Sequence, residues 1–249
     1  QELVKKDNGG GEYLSIIKNA IESSTAPLKE RKSQKNHPFE FWFNEFKVKS
    51  FSDCFSFSIP LEFDKGEKDY KQNFVAFYVW LKVFYNELLM RGFLCRGGVA
   101  KGWFYSDDDI IFSNALIEAY HLESQKANHP IFIIHPDLIL DLKSKGFQSE
   151  EYNVYMFSHD NAGRTFFNPF NYSIVDEIFF GLKQPDKLEE RISERNELIG
   201  KYIPIINTKI TELRGGNAAD KWQWLKEFSL FTKRNKYKDK FSNGLIDIA

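Results

Sequence analysis

Ser52 and Asp53 form a short polar turn between two stretches, 39–49 and 54–59, in which apolar and polar residues alternate. This alternation is typical of β-strands, so the two stretches predict a hairpin with a carboxylate near its tip. Carboxylates at strand ends are ligands that hard divalent cations prefer. Ser-Asp is also a common turn pair in which the aspartate bonds its own backbone, so a metal ligand and a plain turn residue are both open.

Lys49 and Arg96 are cationic candidates for contact with a ligand. Lys49 precedes Asp53 by four residues, and Arg96 begins a glycine-rich stretch with Gly97 and Gly98. A lysine ammonium can donate to a carbonyl or a ring nitrogen, although an edge-strand lysine is usually solvated. A guanidinium can bind phosphate through paired hydrogen bonds. The two glycines either let a ligand or backbone approach closely or mark a bulge.

A polar stripe runs along one predicted helix. It consists of Asn114, Glu118, His121 and Gln125, at the spacing i, i+4, i+7 and i+11. A histidine in such a stripe can contact an anionic ligand, so His121 is a candidate site residue. The alternative is an ordinary exposed helix histidine. Asp109, in the acidic turn before this helix, is either a ligand contact or part of a hydrated loop.

The remaining pattern predicts the elements that carry these residues. Apolar residues at helical spacing predict helices, and alternating or short apolar runs predict strands. The predicted elements are a helix at 12–24, strands at 39–49 and 54–59, a helix at 70–90, β-rich segments at 93–105 and 110–112, a helix at 113–125 and a strand at 131–134. From residue 39 onward the order is β-β-α-β-β-α-β.

This order predicts an α+β fold. With one further strand before Gln1, the helix at 12–24 completes a βαββαβ core, which is a ferredoxin-like sheet with helices on one face. Nothing between Gln1 and Tyr13 has the pattern of that strand, so we expect it upstream. Residues 1–160 are assigned to the core, and residues 161–249 to a mostly helical C-terminal extension packed on it.

The composition excludes several classes of protein. With 249 residues, of which 42% are hydrophobic and 28% charged, the chain can bury a core and is typical of a globular protein. Its 34 Lys and Arg nearly balance its 35 Asp and Glu, which argues against nucleic acid or an anionic membrane as a partner. The longest apolar run, 74–89, falls short of the ~20 residues that span a bilayer. Two cysteines without a signal peptide predict a cytoplasmic protein.

Three blocks of sequence follow one another in a suggestive order. They are RGGVAKG at 96–102, the acidic turn at 107–109, and IFSNALIEAYHLE at 111–123. Together with Asn168-Pro169 and the late KWQWL at 221–225, they resemble bacterial class III-like nucleotide cyclases. More narrowly, they resemble the pyrimidine cyclases of Pycsar antiphage defence. The likeness covers most of the chain.

The resemblance implies conversion of a nucleoside triphosphate to a 3′,5′-cyclic monophosphate and pyrophosphate. The reaction uses two divalent cations, Mg²⁺ or Mn²⁺, one near the ribose 3′-hydroxyl and one on the phosphates. In this family one metal carboxylate lies on the first strand, which is expected here before Gln1. The other lies in the turn of the following hairpin, where Asp53 stands. Ser52, beside it, is then a predicted nucleotide contact.

The same resemblance gives roles to other residues. Lys49 and Asp109 lie at or near the positions that read the base in purine-specific relatives. His121 stands where class III enzymes have the arginine that stabilises the transition state, and Ile117 stands where they have an asparagine, so both depart from the family pattern. Arg96 is the second predicted catalytic residue because of its possible contact with phosphate.

The family also implies a homodimer whose composite active sites take residues from both protomers. UTP or CTP is the favoured substrate, and the product would be a signal in antiphage defence. A different class of function remains open, a catalytically inactive module that binds nucleotide and regulates a partner. A purely structural α+β protein is the third interpretation.

Overall fold

A computed structural model of the protein describes residues 11, 15–23, 46–51, 54–61, 67–107, 110–145, 157–160, 163–170, 188–234 and 245–246. The described helices are α1 at 15–23, α2 at Glu67–Met90, α3 at Asn114–Lys126, α4 at Pro136–Ser144, α5 at Leu188–Leu213 and α6 at Asn217–Arg234. The described strands are β1 at Lys47–Phe51, β2 at Cys54–Ser58, β3 at Gly97–Val99, β4 at Phe104–Ser106, β5 at Ile111–Ser113, β6 at Phe132–Ile134, β7 at Phe157–Asp160, β8 at Thr165–Phe167 and β9 at Leu245–Ile246.

Local sequence explains where the helices next to the site begin and end. The Ser113 side chain accepts a hydrogen bond from the backbone N–H of Leu116 at 3.0 Å and so caps the start of α3. After α2, Gly92 has a φ of 77°, and its N–H bonds to the carbonyl of Leu89 at 2.9 Å. A glycine adopts this left-handed conformation at little cost, so the helix ends there and the chain turns towards β3.

The described strands form three sheets. β1 and β2 make an antiparallel hairpin, and so do β4 and β5. The largest sheet has the order β3-β6-β8-β7-β9, in which β3 and β6 are parallel. Helix α3 lies on the connection between these two parallel strands, which is the usual way in which a helix joins them.

Helices cover both faces of the five-stranded sheet. In β8, Phe166 packs against Trp224 and Phe228 of α6. The next residue, Phe167, packs against Phe74 and Tyr78 of α2. Successive strand residues point to opposite faces, so α2 and α6 lie on opposite sides of the sheet. The sequence predicts helices on one face only, and the difference arises because the C-terminal helices cover the second face.

The core of the protein is rich in buried aromatic rings. Those with essentially no exposed surface include Tyr70, Phe74, Phe84, Phe166, Phe170, Tyr202 and Phe228. The buried phenols of Tyr78 and Tyr85 donate to the backbone carbonyls of Asn168 at 2.8 Å and Pro130 at 2.9 Å. These bonds allow large polar rings to be buried without an unpaired hydroxyl.

The prediction of an α+β fold is confirmed. The predicted hairpin around Ser52-Asp53 is also present, since Phe51 pairs with Cys54. The described strands do not form a single ferredoxin-like sheet, because hairpin β1–β2 shares no strand pairing with the sheet that contains β3. The proposed division at 160/161 falls between the paired strands β7 and β8. No helix among the described residues is long and apolar enough to cross a bilayer.

Candidate functional site

Two lysines of β1 join the two hairpins. The ammonium of Lys47 donates to the carbonyl of Ser106 at 2.9 Å, and that of Lys49 donates to the carbonyl of Asp107 at 2.7 Å. The two lysines are two residues apart, so they lie on the same face of the strand. They therefore hold hairpin β1–β2 against the end of β4, where the acidic turn starts.

Asp107 closes the turn of hairpin β4–β5. Its carboxylate accepts hydrogen bonds from the backbone N–H of Ile110 at 2.7 Å and from the hydroxyl of Tyr105 at 2.8 Å. Its own N–H bonds to the carbonyl of Ile110 at 3.0 Å. The hydrogen bond to this carboxylate and its negative charge raise the pKa of Tyr105. Asp107 is thus a turn-forming residue, and Lys49 lies directly beside it.

Three predicted site residues lie outside the described part of the chain. They are Ser52 and Asp53 in the first hairpin and Asp109 in the second. Their described neighbours are nevertheless informative. Phe51 and Cys54, on either side of the first pair, are opposite one another in the hairpin. Lys49, on the same hairpin, contacts the residue two positions before Asp109.

His121 lies on the solvent side of α3. All four members of the predicted polar stripe, Asn114, Glu118, His121 and Gln125, are exposed. The ring of His121 has that of Tyr120 beside it, with 6.4 Å between the centroids. Glu118 faces His135, with 3.8 Å between Oε2 and Nε2. The stripe is therefore a surface to which a ligand has access, and His121 projects from its middle.

Arg96 makes protein contacts in the structure. Its Nε lies 2.6 Å from Oε1 of Glu123, and its Nη1 donates to the carbonyl of Ala127 at 3.0 Å. Both partners belong to α3 or its C-terminal cap, so the side chain ties the start of β3 to the end of that helix. The guanidinium would have to leave or share these partners to bind a phosphate.

The two glycines of β3 are explained by packing. A Cβ on Gly98 would overlap the carbonyl oxygen of Ala119 and come within 2.7 Å of Cβ of Leu122, while one on Gly97 would come within 2.6 Å of the ring of Phe132. Close approach of the strand to α3 on one face and to Phe132 on the other therefore requires glycine at both positions. Neither is needed to admit a ligand.

A large groove borders these residues. Its volume is about 1830 Å³, and it extends between hairpin β1–β2, strands β3 and β4, and helix α3. Lys47, Arg96, Lys101 and Tyr105 line it together with many apolar side chains. Cys54 and Cys95 also line it, and neither forms a disulfide. Burial raises the pKa of the Cys95 thiol, which keeps it protonated.

The described residues do not by themselves fit a two-metal centre. Within them, no group of three or more His, Cys, Asp or Glu side chains is placed to hold a metal ion. Asp53, the predicted ligand, lies outside that part of the chain, and its partner carboxylate is expected upstream of Gln1.

Lys47, whose ammonium donates to the carbonyl of Ser106, was not identified as a site residue from the sequence. The signal was present, because Lys47 and Lys49 occupy alternate positions of a predicted strand and so share a face. Tyr105, which is bonded to the turn aspartate, was also not identified.

No family model, curated protein or solved structure matches the chain.

Proposed function

We propose that the chain is a nucleotide cyclase that converts a nucleoside triphosphate to a 3′,5′-cyclic monophosphate and pyrophosphate. The observation that carries the proposal is the contact between Lys49 and the carbonyl of Asp107, next to Lys47 and Ser106, which line the groove. The resemblance assigns base recognition to Lys49 and Asp109, and Asp107 lies two positions before Asp109 in the same turn. UTP or CTP is the proposed substrate, and a homodimer is the proposed functional unit.

Three side chains would have separate roles in binding the nucleotide and in the reaction. An ammonium has three donors, so Lys49 can keep its bond to Asp107 and still donate to a carbonyl of the base. His121, exposed on α3, would donate a hydrogen bond to the triphosphate where negative charge develops. Arg96 remains a predicted phosphate ligand, although Glu123 already pairs with its guanidinium.

The direct test is to incubate the full-length protein with each of the four nucleoside triphosphates and Mn²⁺ and to look for cyclic products by mass spectrometry. We expect one or both pyrimidine nucleotides to give a product. Asp53→Ala should abolish turnover without changing the oligomeric state, and Asp220→Ala, at an exposed aspartate of α6, is the control. Absence of product with all four nucleotides would overturn the proposal.

A non-catalytic nucleotide-binding module is the second candidate. It is favoured by Ile117 and His121, which stand at positions where class III enzymes have asparagine and arginine. Calorimetry separates the two candidates, because a binding module would take up nucleotide without turnover and with little dependence on Mg²⁺. Lys49→Met should weaken binding in either case.

A further inference from the structure

Hairpin β4–β5 carries aromatic rings on its outward face. Tyr105 and Phe112 are opposite one another in the hairpin, and Trp103 immediately precedes β4. All three residues are about half exposed or more. The ring of Trp103 packs edge-on against that of Phe112, with 5.4 Å between the centroids, whereas no ring within the described part of the chain packs on Tyr105. A planar ligand therefore has access to the ring of Tyr105.

Tyr105 differs from Phe112 in its surroundings. Tyr105 lines the large groove, and Phe112 does not. The Tyr105 hydroxyl donates to the carboxylate of Asp107 at 2.8 Å, and the Lys49 ammonium donates to the carbonyl of the same aspartate at 2.7 Å. Asp107 thus fixes an aromatic ring and an ammonium next to one another. Because both are held before a ligand arrives, less side-chain entropy is lost on binding.

The side chains that line the groove are more cationic than anionic. Among the described residues that line it, three are cationic, Lys47, Arg96 and Lys101, and one is acidic, Glu123. Arg96 and Lys101 each pair with a carboxylate at 2.6 Å, whereas Lys47 donates to the uncharged carbonyl of Ser106. Positive charge is therefore in excess, which favours an anionic group inside the groove.

These features match the two halves of a nucleotide. Aromatic side chains stack on nucleobases, every one of which has a π-face. The carboxylate of Asp107, beside Tyr105, would repel a phosphate, so the uncharged base is the half that fits there. The phosphates would then extend towards the cations of the groove.

We propose that the ring of Tyr105 is the surface on which the base of a nucleoside triphosphate stacks, with Lys49 at the edge of the base. The inference rests on the proposed function, from which it takes the class of ligand, and it adds the residue that binds the face of the base. Stacking is tolerant of the type of base. Tyr105 therefore contributes affinity for all four bases, and any choice among them falls to edge residues such as Lys49.

The experiment measures binding to the full-length protein by calorimetry with Mg²⁺ and 3′-deoxyuridine triphosphate, which lacks the hydroxyl that would cyclise. Inorganic tripolyphosphate, which has no base, is the second probe. We expect Tyr105→Leu to raise the Kd of the nucleotide about tenfold and to leave that of tripolyphosphate within about twofold. Tyr105→Phe keeps the ring, so its Kd should stay close to that of the wild type. Phe112→Leu, on the same face but outside the groove, is the matched control and should change neither Kd.

Three results would overturn the proposal. They are an unchanged Kd for the nucleotide in Tyr105→Leu, an equal loss of affinity for tripolyphosphate in that variant, and an equal loss of nucleotide affinity in Phe112→Leu. If Tyr105→Leu does not fold, the unaltered protein decides. Nuclear Overhauser effects should connect the ring protons of Tyr105 to H5 or H6 of the bound uracil, and their absence would refute the stack.

Cyclase activity is measured separately with UTP. A protein that makes no cyclic product but whose nucleotide affinity depends on Tyr105 would keep the base-stacking role and lose the proposed function. A protein that makes product and whose affinity does not depend on Tyr105 would do the reverse. A protein that does not bind 3′-deoxyuridine triphosphate would overturn the base-stacking role, and the product assay would still decide the function.

Discussion

The centre of the five-stranded sheet and hairpin β4–β5 use aromatic residues in opposite ways. At the sheet, Phe166 and Phe228 are fully buried and in ring contact. On the hairpin, Tyr105 and Phe112 are about half and two-thirds exposed, and Lys47 and Lys49 hold the hairpin by hydrogen bonds to its backbone. Regions with few buried apolar contacts open at lower free energy. We therefore expect the segment at the candidate site to open at a lower free energy than the sheet.

Phe228→Ala should have the largest effect on the free energy of unfolding. Phe228 contacts Phe166, Phe170 and Trp224 and has no exposed surface, so we expect a loss of about 3–5 kcal/mol. Phe112→Ala is the matched control, because 67% of that residue is exposed, and it should change stability by no more than ~0.5 kcal/mol. Urea unfolding measures the free energy of unfolding of both variants. Similar losses of stability in the two would contradict the contrast between the sheet and the hairpin.

Gly98→Ala tests how the five-stranded sheet packs against α3, the helix that follows hairpin β4–β5. The added methyl group would overlap the backbone carbonyl of Ala119, which cannot rotate away. We expect a loss of about 1–3 kcal/mol, as for overpacking of a core. Gly200→Ala in α5 is the control, because a Cβ there would meet nothing within 4 Å apart from the neighbouring backbone of its own helix, and this change should stabilise the helix by ~0.5–1 kcal/mol. Thermal unfolding should show a lower Tm for Gly98→Ala and a higher Tm for Gly200→Ala than for the wild type.

Asp141→Asn tests the link between α4, α2 and the connection that leads to the hairpin. The Asp141 carboxylate accepts from the buried hydroxyl of Tyr70 and lies 2.6 Å from Nζ of Lys101. Burial alone would raise the pKa of Asp141, but hydrogen bonds from Lys101 and Tyr70 and the charges of Lys101 and Lys145 outweigh it and lower the pKa below 3.8. We expect the variant to lose on the order of 1.5 kcal/mol at neutral pH.

The pH dependence of that loss has a definite sign. Because the folded-state pKa of Asp141 is below the unfolded value, the stabilisation is complete above the unfolded pKa and disappears as the pH falls through the folded one. The difference in unfolding free energy between wild type and Asp141→Asn should therefore shrink below pH 4. A difference that stays constant from pH 7 to pH 3 would show that the charge of Asp141 contributes nothing.

Lys47→Met should have the smallest effect on stability and the most local one. It removes one hydrogen bond, to the carbonyl of Ser106, from an exposed side chain, so we expect about 0.5–1 kcal/mol. Lys18→Met is the control, because its pair with Glu22 at 3.9 Å is exposed and contributes little. Amide exchange in 104–106 and 111–113 should rise in Lys47→Met only. An unchanged exchange rate would mean that contacts other than the Lys47 bond hold hairpin β4–β5 in place.

Much of the fold near the site was predictable because the local signals are strong. Apolar periodicity predicted a helix at 70–90, and the structure has Glu67–Met90; Ser113 marked the start of α3 correctly. The β-rich segment 93–105 divides into β3 and β4, which the sequence did not predict. The break occurs near Gly102, where a Cβ would come within 2.5 Å of Oδ1 of Asn114. The bend at Gly102 is explained by this tertiary contact with the start of α3, which no local sequence pattern reveals.

The arrangement of the candidate site could not be predicted from the sequence. The bond from Lys49 to Asp107 spans 58 positions, and a contact of that length leaves no periodic trace in the sequence. The same is true of Arg96. The sequence predicts a phosphate as the partner of its guanidinium, whereas in the structure the guanidinium pairs with Glu123. The C-terminal helices were predicted, whereas their place on the second face of the sheet was not, since that depends on which rings of β8 face them.

The position of α6 also has a consequence for synthesis of the protein on the ribosome. Helix Asn217–Arg234 is translated after every strand of the sheet except β9, yet it supplies Trp224 and Phe228 to cover Phe166. Until that helix emerges from the exit tunnel, one aromatic face of the nascent sheet stays open to solvent. Exposed apolar surface of this kind is prone to aggregation and is what chaperones bind. Translational pausing before residue 217 would prolong that exposure.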